Sequence, residues 1–80
     1  MKVIFYGKLA DMIGRKLEVP AKIPCTVGAL RSRIAEMHPG AGQSLTDRRV
    51  RACVLGALVP DDHPLGLNDE VEFLAPVSGG

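Results

Sequence analysis

Eighty residues, 46% of them hydrophobic and carrying a formal net charge of +1, make one domain, because so short a chain cannot be divided into two cores. Such a chain buries somewhat more than about 60% of its unfolded surface, enough to fold alone with little margin. The near-neutral charge points to neither nucleic acid nor a membrane surface, and three aromatic residues, Phe5, Tyr6 and Phe73, give no stacking platform for single-stranded nucleic acid.

Residues 2–7, "KVIFYG", have the β-branched and aromatic composition of a strand partly covered on both faces. The opening turns polar too soon for a signal peptide and no apolar run approaches a membrane span, so a cytoplasmic protein is expected. In "KLADMIGR", Leu9, Met12 and Ile13 stand at helical spacing and Gly14 ends about one turn. "RKLEVP" alternates Leu17 and Val19 with Lys16 and Glu18, a half-buried strand. Its short separation from the first strand predicts an antiparallel pair, closed off by Pro20 and Pro24. "TVGALRSRIAEMHPG" is the main helix. Val27, Leu30, Ile34 and Met37 form its apolar stripe, with Arg31, Arg33 and Glu36 off it. Thr26 is its N-cap and His38-Pro39-Gly40 its stop.

"AGQSLTDRR" reads as a polar loop, and Arg48, Arg49 and Arg51 beside Asp47 as a solvated edge. "VRACVLG" and "ALVP" are two strands meeting near Gly56, "DDHPLG" is a turn, and "DEVEFLAP" is a last strand with Val71 and Phe73 on one face and Glu70 and Glu72 on the other. Phe73 belongs to the core, and Leu74, of opposite parity, faces a partner. Met12 and Met37 fill the core. Cys25 and Cys53 lack metal or redox spacing and read as small, semi-buried hydrophobes, a disulfide or a nucleophile being the rarer alternatives. His38 favours a helix end, and His63 sits exposed in a turn. Asp61-Asp62 and Asp69-Glu70 are turn residues. With no catalytic triad, paired carboxylates or metal site to argue, the chain alone is not expected to be an enzyme.

The order ββαββ makes an α+β roll: a mixed sheet of four to five strands covered by one main helix. With the first and last strands central and parallel, the end of the chain leaves the sheet at one end. Pro76 cannot extend a ladder. Residues 1–75 then form the domain and residues 76–80 a flexible tail that reaches about 16–18 Å when extended. The tail reads "PVSGG". A Gly-Gly end arises by chance about once in 200 chains at average glycine usage, so a frayed end is the plain alternative. Glycine, lacking a Cβ, passes through a narrow opening. A terminal carboxylate becomes reactive once adenylation gives it a leaving group, and a sulfur donor then converts it to a thiocarboxylate.

The stretches "KVIFYGKLADMIGR", "TVGALRSRIAEMHP" and "HPLGLNDEVEFLAPVSGG" resemble the sulfur-carrying small subunits of molybdopterin synthase, which are ubiquitin-like β-grasp proteins. The resemblance covers essentially the whole chain, and the closing strand, "PV" and Gly-Gly are its most specific part. It implies that Gly80 is the adenylated residue that carries sulfur as a thiocarboxylate. It also implies that Leu74, Pro76, Val77, Ser78 and Gly79 contact the partner. An adenylating enzyme related to ubiquitin-activating enzymes would consume the ATP, and the carrier itself would bind no cofactor or metal. The synthase large subunit would supply the catalytic residues and pass the sulfur to a pyranopterin precursor, within a heterotetramer. Two positions depart from the family pattern: Ala75-Pro76 replaces two prolines, and Leu55 replaces a polar residue, often Asn. The alternatives are a sulfur carrier of thiamin thiazole synthesis, a protein conjugated through its Gly-Gly end, and a ubiquitin-like binding module that is never activated.

Overall fold

The computed structural model describes residues 1–20, 25–47, 49–66 and 68–74. The elements are β1 (Lys2–Phe5), α1 (Lys8–Ile13), β2 (Lys16–Glu18), β3 (Cys25–Thr26), α2 (Val27–Met37), α3 (Gly42–Thr46), β4 (Arg51–Val54), β5 (Ala57–Val59), β6 (Pro64–Leu65) and β7 (Glu70–Leu74), with a 3-10 turn at Pro39–Ala41. Five strands form one sheet in the order β2-β1-β7-β4-β5, and β3 pairs with β6 apart from it. β1 and β7 run parallel at its centre, and the other pairs are antiparallel. This is the expected α+β roll with its first and last strands adjacent.

Alternation along the strands decides which side is buried. Val3, Phe5, Ala52, Val54, Val71 and Phe73 point to one face and are buried with Val27, Leu30 and Ile34 of α2. Phe5 and Phe73, opposite one another in register, stack with ring centroids 5.9 Å apart. Thr26 caps α2 as its sequence predicts, its hydroxyl accepting from Ala29 N–H at 3.2 Å. The β4–β5 hairpin turns on Leu55 and Gly56, with φ of 52° and 80°. Positive φ at both central residues marks a type I′ turn, whose twist matches that of the flanking strands.

Several expectations change. Within residues 41–49, read as a polar loop, Ala41 ends the 3-10 turn and Gly42–Thr46 form α3, because Ala41 and Leu45 are buried. Met12 and Met37 are not core: they are 47% and 40% exposed, each at the outer margin of its helix. Arg31 is not off the buried stripe of α2 but within it. The first strand ends at Phe5 rather than Gly7. "DDHPLG" is a turn only in part, since Pro64 and Leu65 pair with Thr26 and Cys25. His63 is half-buried rather than exposed, and its carbonyl accepts from Val27 N–H at 3.1 Å. Cys25 and Cys53 are free and half-buried, as read from their spacing. No helix among the described residues is long and apolar enough to cross a membrane.

Candidate functional site at the end of the central strand

β7 is hydrogen-bonded on both sides, to β1 and to β4. Its last residue, Leu74, stands opposite Arg51 of β4 and is exposed on the face of the sheet away from α2. Residues 75–80 follow in sequence. Pro76, Val77, Ser78, Gly79 and Gly80, and with them the proposed flexible tail, lie outside the described residues, as do Arg48 and Pro24. Of the predicted site residues the structure therefore places Leu74.

The strand that leads to these residues is held from beneath. The Arg31 guanidinium lies over the Phe73 ring, 5.2 Å from its centroid. It donates through Nη1 to Leu45 O at 2.7 Å, through Nη2 to Val50 O, and through Nε to Asp61 Oδ1 at 2.9 Å. One side chain thus ties α2 to α3, to the segment entering β4 and to the loop after β5. The sequence placed Arg31 off the apolar stripe of the helix. Its position four residues after Val27 and three before Ile34, on the same helix face, was the signal. The ion pair with largely exposed Asp61 is screened by water, so the two buried carbonyls weigh more.

Above the sheet, the open face carries Lys16, Ile4, Glu72, Cys53 and Leu58 in one cross-strand row. Tyr6, one residue past the Phe5–Phe73 pair, donates its hydroxyl to Glu72 Oε2 at 2.6 Å. That bond, then partial desolvation and the charges of Glu72 and Glu70, raise the Tyr6 phenol above its ordinary range, with Arg15 opposing. The phenol therefore stays neutral and donating at physiological pH. Beside the base of the strand, Arg49 donates from Nη2 to Asp47 Oδ2 at 2.9 Å and from its backbone N–H to Asp47 Oδ1 at 2.9 Å. These bonds hold the Asp47 carboxyl below its usual range. Arg49 and Arg51 are exposed, the solvated edge read from the sequence. Tyr6 and Leu58 escaped the sequence reading of the site, although both fall on the outward parity of their strands.

Among the described residues no group of three or more His, Cys, Asp or Glu side chains stands close enough to hold a metal ion.

Comparisons with known proteins agree with this geometry. The model of the ThiS family matches residues 3–80. The molybdopterin synthase sulfur carrier subunit of Escherichia coli is 40% identical over 81 aligned positions, which take in 100% of this chain and 99% of that relative. Among solved structures, SAMP1 of Haloferax volcanii superposes with a TM-score of 0.87 at 22% identity, covering 99% of this chain and 97% of that one. A Pyrococcus furiosus protein assigned as molybdopterin converting factor, subunit 1, gives 0.81 at 23% identity, covering 95% of each chain. At such identities the structures speak for the fold alone, whereas the family model and the full-length relative speak for descent. The chain belongs to the ThiS family, with the ubiquitin-like β-grasp fold and the sulfur carrier subunit of molybdopterin synthase among its relatives.

Proposed function

We propose that this protein carries sulfur on the carboxylate of Gly80 for molybdopterin synthesis. The observation that carries the reading is the family match through residue 80, joined to 40% identity along 99% of a relative named for sulfur carriage. In the proposed sequence, an adenylating enzyme joins the Gly80 carboxylate to the α-phosphate of ATP and pyrophosphate leaves. Attack by a sulfur donor on the acyl carbon breaks the bond to AMP and leaves the thiocarboxylate –COS⁻. That sulfur then attacks a carbon of the pyranopterin precursor held by the synthase large subunit and displaces an oxygen substituent there. Water cleaves the resulting acyl–sulfur bond, which leaves the sulfur on the precursor and returns the Gly80 carboxylate. The carrier needs no base, metal or cofactor of its own for these steps, because both enzymes surround its terminus.

The described residues suit this division of labour. The open face around Leu74, Tyr6 and Glu72 is the surface a partner meets when it takes up residues 76–80, with Leu74, Pro76, Val77, Ser78 and Gly79 as contacts. Gly79 lets the chain pass a narrow opening because it has no Cβ. Work in the cytoplasm and a heterotetramer with the large subunit belong to the same proposal.

Intact-mass spectrometry tests it. Incubated with the adenylating enzyme, ATP and a sulfur source, the chain gains the mass of one oxygen-for-sulfur exchange, and the gain disappears when Gly80 is deleted. Sulfur found on Cys25 or Cys53 instead would remove the carrier mechanism.

A further inference from the structure

Leu55 is costly to the folded chain in two independent ways. Its φ of 52° is the one positive value at a non-glycine residue among the described residues. A bulky side chain is strained in that left-handed region, and type I′ hairpins favour Asn, Asp or Gly there. Its side chain is also 95% exposed, more than any other large hydrophobic residue described. Nothing within the described chain repays either cost: a Cβ at the neighbouring Gly56 would meet no atom within 4 Å, so the hairpin tip stands clear of the rest. An apolar residue in a strained conformation and in water suits a contact made by another molecule.

The neighbourhood says which molecule. Leu58, two residues beyond the turn, is 54% exposed on the open face beside Cys53, and the same face continues through Glu72 and Ile4 to Tyr6 and Leu74. Leu55 lies four residues beyond Arg51, the cross-strand partner of Leu74. At about 3.4 Å per residue and about 4.8 Å between strands, the two leucines are about 14 Å apart. An interface of ordinary size covers about 800 Å² on each partner, a disc about 16 Å in radius. A protein seated over the open face at the base of residues 75–80 therefore reaches the hairpin tip. Two enzymes take up the tail in the proposed cycle. A lasting complex uses apolar anchors more heavily than a transient encounter does, which favours the sulfur-accepting subunit.

We infer that Leu55 is an anchor of the contact with the large subunit, filling an apolar pocket on that protein while the tail occupies its opening. The inference rests on reading the chain as a tail-donating carrier, and it assigns a cost in stability to binding.

The test compares the full-length wild type with L55N and L55M. Thermal unfolding, calorimetric titration with the large subunit, thiocarboxylation by the adenylating enzyme and sedimentation of the carrier alone are measured. L55N relieves the turn and removes the anchor, so its Tm rises by about 3–6 °C while its Kd for the large subunit rises about 10- to 100-fold. L55M keeps both features and stays within about 3-fold of wild type in Kd. Wild-type affinity in L55N would overturn the inference. So would a defect confined to thiocarboxylation, which would move the anchor to the adenylating enzyme, or one confined to self-association, which would move it to a second copy. A wild-type chain that never acquires sulfur would instead defeat the carrier reading itself.

Discussion

Beneath α2 the central sheet presents Val3, Phe5, Ala52, Val54, Val71 and Phe73, all buried, while on its other side the same strands present Ile4, Tyr6, Arg51, Cys53, Leu58, Glu72 and Leu74, half-buried or exposed. The two sets alternate residue by residue, so one strand contributes to both. On the inner side the aromatic stack and the Arg31 contacts leave no polar side-chain atom unpaired among the described buried ones. On the outer side an apolar strip mixed with one tyrosine–glutamate bond faces open space. Folding depends on the first set, and the proposed function leaves recognition to the second. In that proposed function, this division lets a small domain hand its last residues to another protein without loosening itself.

The comparison breaks most severely where the inner set is cut. Phe73→Ala removes a fully buried ring from the stack and should cost about 3–5 kcal/mol in denaturant unfolding, a large share of the stability of so small a domain. Loss of less than about 1 kcal/mol would mean that the stack is not part of the core's support.

Arg31→Met comes next. The methionine refills much of the space but leaves Leu45 O and Val50 O without their donors. At about 1–3 kcal/mol for each of the two carbonyls, less what the methionine regains by packing, the expected loss is about 2–4 kcal/mol. A variant as stable as wild type would show that water replaces the guanidinium at no cost.

The inner set was largely legible in the sequence because burial imposes a period. Val71 and Phe73 alternate with acids, Val27, Leu30 and Ile34 recur at helical spacing, and Thr26 and His38-Pro39 bound the helix. Legibility ended where the period was too short or was broken by charge. α3 has five residues and one buried leucine, which offers no repeat to detect. Arg31 occupies a core position that a hydrophobic count rejects, because its charge is matched by carbonyls far away in sequence. Met12 and Met37 fit the helical period, yet both side chains stay exposed. The open face has no period of its own beyond outward parity, so Tyr6 and Leu58 emerged only with the strand register. Leu55 stood out in the sequence as a departure from the family pattern, and its strain emerged with its backbone angle. Of the candidate site, the Gly-Gly end was visible as composition, and Leu74 as parity.

The smallest expected effect on stability is also the most direct measurement of the proposed separation between folding and transfer. Gly79→Val should shift stability by less than about 0.5 kcal/mol, because on this account the residue acts in the partner's opening and not in the fold. The branched side chain should nevertheless block an opening shaped for bare backbone. Thermal unfolding and a single-turnover sulfur-transfer assay on the same preparation should give a superimposable melting curve with transfer reduced by orders of magnitude. Unfolding of the variant, or transfer at the wild-type rate, would contradict the account.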